Sequence, residues 1–241
     1  VSGELVLSLF PGIGLLDRAF EDLGFCVVRG PDVLWGGDVR TFHPPAATFD
    51  GVIGGPPCQA FSRLRHLVAY RGGSLKPNLI PEFERCVREA GPRWFVMENV
   101  QDAPTPSVPG YVSRRQLLRD VWVGGSTNRL RAFTFGTVAG KSLCVEGLAL
   151  HADGEPPVLA SDGGRRVAVR IGGSGKRKRS IGAEATHARP LAEIYRLQGL
   201  PTDFLDGAPL TSSGKRLVVG NGVPLPMGLA IARAVRQALE P

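Results

Sequence analysis

The sequence predicts an α/β protein built on a doubly wound, mostly parallel sheet. Three observations carry this expectation. Short apolar runs alternate with amphipathic stretches over residues 1–137, the pattern of consecutive strand–helix units. Helix stops fall where the alternation needs them. Polar motifs sit just after the apolar runs, where an open parallel sheet binds ligands. The length of 241 residues and a hydrophobic share of 43% suit one large domain with a small second lobe.

Taken in order, Leu5–Phe10 is a buried strand followed by Pro11-Gly12-Ile13-Gly14. Leu15, Leu16, Ala19, Phe20 and Leu23 then share one helical face, and Gly24 stops that helix. Phe25–Val28 is a second strand with Asp32 just past its end. Phe49–Gly55 is a third, ending in Gly54-Gly55-Pro56-Pro57-Cys58. Pro81–Ala90 is a helix with Pro81 in its first turn and Gly91 as its stop. Trp94–Met97 is a strand leading to Glu98-Asn99, and residues 120–123 and 131–135 are expected to be two more. Beyond Val138 glycine, proline and charge rise and the period is lost until a helix over 191–198. Asn221–Pro226 reads as a loop and Met227–Leu239 as a closing amphipathic helix.

Charge is unevenly placed. Lys and Arg total 29 against 22 Asp and Glu, a net +7. Seven of the basic residues fall in Gly163–Ala183, which holds no acid, so the remainder of the chain is balanced. A localised excess of this kind points to a polyanionic partner. No apolar run suggests a membrane span, and no leader for secretion is read at the N-terminus. Four cysteines, at 26, 58, 86 and 144, show no CxxC pair, so neither a structural metal site nor a disulfide framework is expected.

The chemistry-bearing residues lie at strand ends. In Phe10-x-Gly12-x-Gly14 the glycines allow close backbone approach to a ligand. Asp32, 20 residues past Gly12, stands where an acid meets ribose hydroxyls, with Trp35 and Asp38 near enough to meet an adenine face and edge. Cys58, after two prolines, is a candidate nucleophile. Glu98, partly desolvated after an apolar strand, suits proton sharing with a ring nitrogen. Arg129 and Arg131 alternate and so share a face.

Together these stretches resemble the cytosine-C5 DNA methyltransferases. The resemblance rests on Phe10-Pro11-Gly12-Ile13-Gly14, Gly55-Pro56-Pro57-Cys58-Gln59-Ala60-Phe61-Ser62, Glu98-Asn99-Val100 and Arg129-x-Arg131, in that order. Arg189-Pro190-Leu191 with Arg196-Leu197-Gln198-Gly199-Leu200-Pro201, and Gly220-Asn221-Gly222-Val223-Pro224, are similar to that family's ninth and tenth motifs. The resemblance implies a Rossmann-like methyltransferase fold with a reduced target-recognition lobe. Residues 1–137, completed by the helix at 215–241, would form the catalytic and cofactor domain, and 138–214 the recognition lobe.

It also implies S-adenosyl-L-methionine as cofactor, held by Phe10, Gly12, Gly14, Asp32, Trp35, Asp38, Pro57, Asn221 and Val223. Cys58 would be the nucleophile on a flipped cytosine, Glu98 the acid, Arg131 the holder of the base carbonyl, and Arg129 its support. Gln59, Ser62, Arg63 and Arg65, on a loop over 59–80 expected to close on DNA, would contact the duplex. So would Lys176, Arg177, Lys178 and Arg179. The expected partner is double-stranded DNA. A monomer in a bacterial or phage-infected cytoplasm is expected, with no metal and no membrane.

Three departures stand out. Between Asp32 and Asp38 the family normally inserts a helix and a strand, and here only Val33–Gly37 intervene. Residues 138–188, 51 in number, are fewer than usual for recognition, which implies a short or relaxed target sequence. Thr127 lies near where the family's glutamine precedes the arginine pair. The alternatives are a tRNA cytosine-C5 methyltransferase, whose Cys-Phe-Thr stretch is absent after Cys58, and a catalytically silent nucleic-acid-binding regulator.

Overall fold

The structure, a computed structural model, describes residues 3–57, 77–147, 153–159 and 189–240. Its strands are β1 (Leu5–Leu9), β2 (Cys26–Arg29), β3 (Gly51–Gly54), β4 (Trp94–Asn99), β5 (Val112–Arg119) and β6 (Leu130–Thr137). Its helices are α1 (Leu15–Glu21), α2 (Ile80–Ala90), α3 (Leu191–Leu197), α4 (Ser212–Asn221) and α5 (Leu225–Leu239). The six strands form one sheet in the order β2-β1-β3-β4-β6-β5. β2, β1, β3 and β4 run parallel, and β6 lies antiparallel to both β4 and β5.

Neighbouring residues of each parallel strand point to opposite faces. Val6, Ile53, Trp94 and Val96 therefore join Leu16 and Phe20 of α1 and Met227, Ile231 and Val235 of α5 in one core. Leu7, Leu9, Val52, Phe95 and Met97 face the other way, into a core with Ile80, Phe83 and Val87 of α2. This two-sided burial is why the strands read as continuous apolar runs. Each fully buried side chain of this size contributes roughly 1.5–3 kcal/mol. The expected doubly wound, mostly parallel sheet is what the chain forms.

Two expectations about elements are corrected. Residues 120–123 form a short 3-10 turn and not a strand. The turn follows from Asp120, whose buried carboxylate accepts from the Thr127 N–H at 3.0 Å and its hydroxyl at 2.7 Å, while Gly124 takes φ 86°. The strand is instead β5, just before it, whose sequence Val112-Ser-Arg-Arg-Gln-Leu-Leu-Arg119 carries too much charge to read as apolar. The second is the single helix expected at 215–241: the chain forms two, and the first of them, α4, opens at Ser212-Ser-Gly-Lys with the Thr211 hydroxyl capping the Gly214 N–H at 3.1 Å. By length and composition Ser212–Leu239 is apolar enough to cross a bilayer, yet 67% of its most apolar window is buried in the fold. It is two helices, broken between Asn221 and Leu225, as core packing requires.

Beyond β2 the described residues contain no further strand, in keeping with the short Val33–Gly37 link. β2 is thus an edge, with Val28 42% exposed. Because β6 is antiparallel, its first residues reach the same sheet edge at which β1, β3 and β4 end, with Asn99 opposite Ala132. That edge gathers the motifs.

Candidate active site

The first wall is the turn after β1. Phe10, Gly12 and Gly14 all have positive φ, 56°, 56° and 77°. For a bulky residue such as Phe10 this is a strained conformation, and such strain concentrates at functional sites. A side chain on Gly12 would meet nothing within 4 Å, so the turn's surface lies open there. One on Gly14 would come within 2.7 Å of the Arg29 guanidinium. The turn is clamped from the loop after β2. The Asp32 carboxylate accepts from the Gly12 N–H at 2.9 Å and the Leu34 N–H at 2.7 Å. The Trp35 indole N–H donates to the Gly12 carbonyl at 2.7 Å, leaving the residue 63% exposed.

Asp38 carries a local ion pair. Its carboxylate accepts four bonds from Arg40, at 2.6–3.0 Å, and these hold its pKa down to about 2. A carboxylate offers about four acceptor sites, so the purine edge assigned to Asp38 would have to displace Arg40. Asp32, with two bonds, retains acceptor capacity.

The second wall joins β3, β4 and β6. Glu98 and Arg131 pair at 2.9 Å (Oε1 to Nε), their side chains 12% and 18% exposed. Arg131 Nη1 also donates to the Leu130 carbonyl at 2.8 Å. Any side chain at Gly55 would lie 3.1 Å from Glu98 Oε2, so glycine is what lets the carboxylate lie against the end of β3. Buried Asn99 donates to the Pro56 carbonyl at 3.1 Å, fixing the backbone that leads through half-buried Pro57 to Cys58. Arg115 on β5 donates to the carbonyls of Gln101 and Ala103 at 2.5 and 2.6 Å, holding the loop after β4.

Arg129 and Arg131 divide their work. Arg129 is 3% exposed and donates to the carbonyls of Val158 and Gly220, whereas Arg131 faces Glu98. Asn221 is exposed at the end of α4. Val223, only 7% exposed, packs its side chain into the core with Leu16 and Met227. Gly222 lies so close to α1 that a side chain there would come 2.5 Å from Leu15 Cδ1.

Cys58, Gln59, Ser62, Arg63, Arg65, Lys176, Arg177, Lys178 and Arg179 lie outside the described residues. Asn99, Gly55 and Arg115 were not among the expected site residues. Asn99 adjoins Glu98 in sequence and carried that much of a sign. Arg115 carried none, because its strand was not legible. Among the described residues no group of three or more His, Cys, Asp or Glu could hold a metal ion.

Comparison with known proteins agrees with this arrangement. Residues 36–107 match the family model for the C-5 cytosine-specific DNA methylase. The chain is 35% identical over 123 residues to the type II methyltransferase M.AquIA of a Picosynechococcus strain, covering 40% of this chain and 48% of that one. It is 28% identical over 166 residues to the orphan methyltransferase M.Rho11sI of Bacillus phage rho11s, covering 54% of this chain and 32% of that one. The chain thus spans half or less of these relatives' length. In fold it is similar to the Entamoeba histolytica methyltransferase EhMeth, with a TM-score of 0.66, 11% identity and full coverage of both chains. Over residues 36–107 the chain is thus similar to the C-5 cytosine-specific DNA methylases, and its sheet has the fold of a methyltransferase.

Proposed function

We propose that this chain transfers a methyl group from S-adenosyl-L-methionine to C5 of a flipped cytosine in double-stranded DNA. The observation that carries the reading is the Glu98–Arg131 pair, held against Gly55 at the strand end that leads into Cys58. The open surface over Gly12, the exposed Trp35 indole and the spare acceptor capacity of Asp32 fit an adenosine-bearing cofactor. Phe10, Gly14, Pro57 and Asn221 complete that wall.

When bound, S-adenosyl-L-methionine supplies an electrophilic methyl group. The chain's own residues prepare the base for it. Cys58 as thiolate bonds to C6 and breaks the C5–C6 double bond. Glu98 shares a proton with N3 and so draws electron density from C6, while Arg131 keeps the carboxylate oriented and offers donors to the base carbonyl. After C5 has gained its methyl group, the C5 proton passes to a water-derived base and the C6–S bond breaks, restoring the C5–C6 double bond and the Cys58 thiolate. Flipping is required because neither ring position can be reached within the stack. Residues 138–214 are the proposed recognition lobe, and its basic run the proposed DNA contact. As a DNA-modifying enzyme the chain would work in the cytoplasm of a bacterial or phage-infected cell.

The test is transfer of a tritium-labelled methyl group from the cofactor to duplex DNA, tRNA or free nucleotides. Label in duplex DNA alone, abolished in Cys58→Ala, is the expected result. Label in tRNA would move the substrate, and tight duplex binding without label would favour a silent regulator. DNA carrying 5-fluorocytosine should trap a denaturation-resistant adduct, since fluorine cannot leave as a proton does.

A further inference from the structure

Arg129 sits just ahead of β6 and is almost wholly buried. Its guanidinium forks, with Nη1 donating to the Val158 carbonyl at 2.7 Å and Nη2 to the Gly220 carbonyl at 3.0 Å. Gly220 lies in the last turn of α4, where helical bonding leaves carbonyls unsatisfied and partial negative charge collects. The neighbouring Val219 carbonyl receives the Gln198 side-chain amide at 2.6 Å, and the Leu225 N–H returns to the Gln198 backbone carbonyl at 2.9 Å. Asn221–Pro224 is therefore fixed before its start by Arg129 and past its end by Gln198.

The same loop touches the cofactor wall. Gly222 abuts Leu15, the residue that follows Gly14. Leu15, Val158, Ile194, Leu197 and Val219 belong to one buried cluster, so the glycine turn, α3, the end of α4 and the 153–159 segment are packed together. In sequence that segment leads towards the basic run. Two residues from Arg129, Arg131 holds Glu98.

We infer that Arg129 is a positioning residue that couples the proposed cofactor loop at 220–224 to the 153–159 segment of the proposed recognition lobe. The inference rests on the methyltransferase reading above. A cofactor that orders Asn221 and Gly222 fixes the Gly220 carbonyl, and through the rigid guanidinium the Val158 carbonyl 29 residues from Arg129 in the other direction of contact. Lysine cannot reproduce this, since a single ammonium lacks the planar fork. Because ordering one site orders the other, cofactor and DNA strengthen each other's binding, and linkage makes the two factors equal.

The test uses the full chain, S-adenosyl-L-homocysteine, and a duplex bearing the site found by bisulfite sequencing of DNA from expressing cells. For the wild type the duplex Kd should fall about 5-fold or more when the homocysteine compound is added, the range typical of coupled sites. In Arg129→Lys that ratio should drop towards one. An unchanged ratio in the variant, or a ratio of one in the wild type, overturns the inference. Should Arg129→Lys not fold, hydrogen exchange on the wild type decides. Adding the compound should slow exchange at Val158 and Leu159 as well as at 220–223, and slowing at 220–223 alone overturns the coupling. A wild type that binds neither ligand removes the methyltransferase reading itself, a different failure from a ratio of one.

Discussion

In the proposed reaction Glu98 shares a proton with the base while Arg131 keeps it oriented, and one substitution separates these tasks. Glu98→Gln keeps the shape and a hydrogen bond but cannot ionise. General acid–base help is worth ~10²–10⁴ in rate, so single-turnover methyl transfer at saturating DNA should slow by about that factor while the duplex Kd changes little. An unchanged rate would remove Glu98 from the chemistry. A loss of folded protein would instead reflect an Arg131 guanidinium left without its partner, which a thermal melt would reveal. The residues proposed to act on the base were legible because each sits in a local motif. Those that set them in place were not. Asn99 reaches across to the Pro56 carbonyl, Gly55 matters only because Glu98 lies on it, and Gln198 closes a helix 21 residues away. Such partners are neighbours only once the sheet has formed. Asp38 illustrates the converse: an acid in the expected place was taken by Arg40, two residues on.

The elements were legible where burial was two-sided and obscure where it was not. β1, β3 and β4 are wrapped on both faces and read as unbroken apolar runs. β5 is an edge strand with three arginines among its eight residues, and it is held by pairing with β6 over its whole length. α4 relies on packing against α3 and on its caps more than on its own propensity, with two glycines among its ten residues. One close contact between elements is at Gly51 of β3, where a Cβ would come 2.2 Å from the Trp94 ring. Gly51→Ala should destabilise the fold by about 1–3 kcal/mol, the usual cost of overpacking a core, seen as a lower urea midpoint with unchanged slope. Asp17 on α1 gives the sheet a pH dependence. Burial raises its pKa above the ordinary 3.8, outweighing the Ser8 hydroxyl at 2.5 Å and the Arg29 guanidinium at 3.0 Å. The folded chain then holds a proton that the unfolded chain has released, so stability falls as pH rises from 3.8 through the folded value. Asp17→Asn removes the titration, and its stability relative to the wild type should therefore rise over that window. A difference between the two proteins that stays flat with pH would show that the ionised carboxylate is fully compensated where it lies.

For the molecule as a whole, the balance of charge bears on how it would meet the proposed DNA partner. Outside Gly163–Ala183 the cations and anions are equal in number, so the net +7 is carried by that stretch. Lys176-Arg177-Lys178-Arg179 places four cations in succession, and Gly172, Gly173 and Gly175 just before them leave the backbone permissive. Four consecutive cations cannot all reach base edges, so mainly phosphate contacts are expected, which position the protein without reading sequence. Each phosphate neutralised steepens the plot of log K against log salt by about 0.9. Replacing all four with serine should weaken binding to every duplex alike and flatten the slope by roughly two to four units, while bisulfite sequencing finds the same cytosines methylated. An unchanged slope would make the run a solvated loop. An altered set of methylated sites would instead give these residues a part in reading the bases, and the recognition code would then begin in a stretch chosen here for its charge alone.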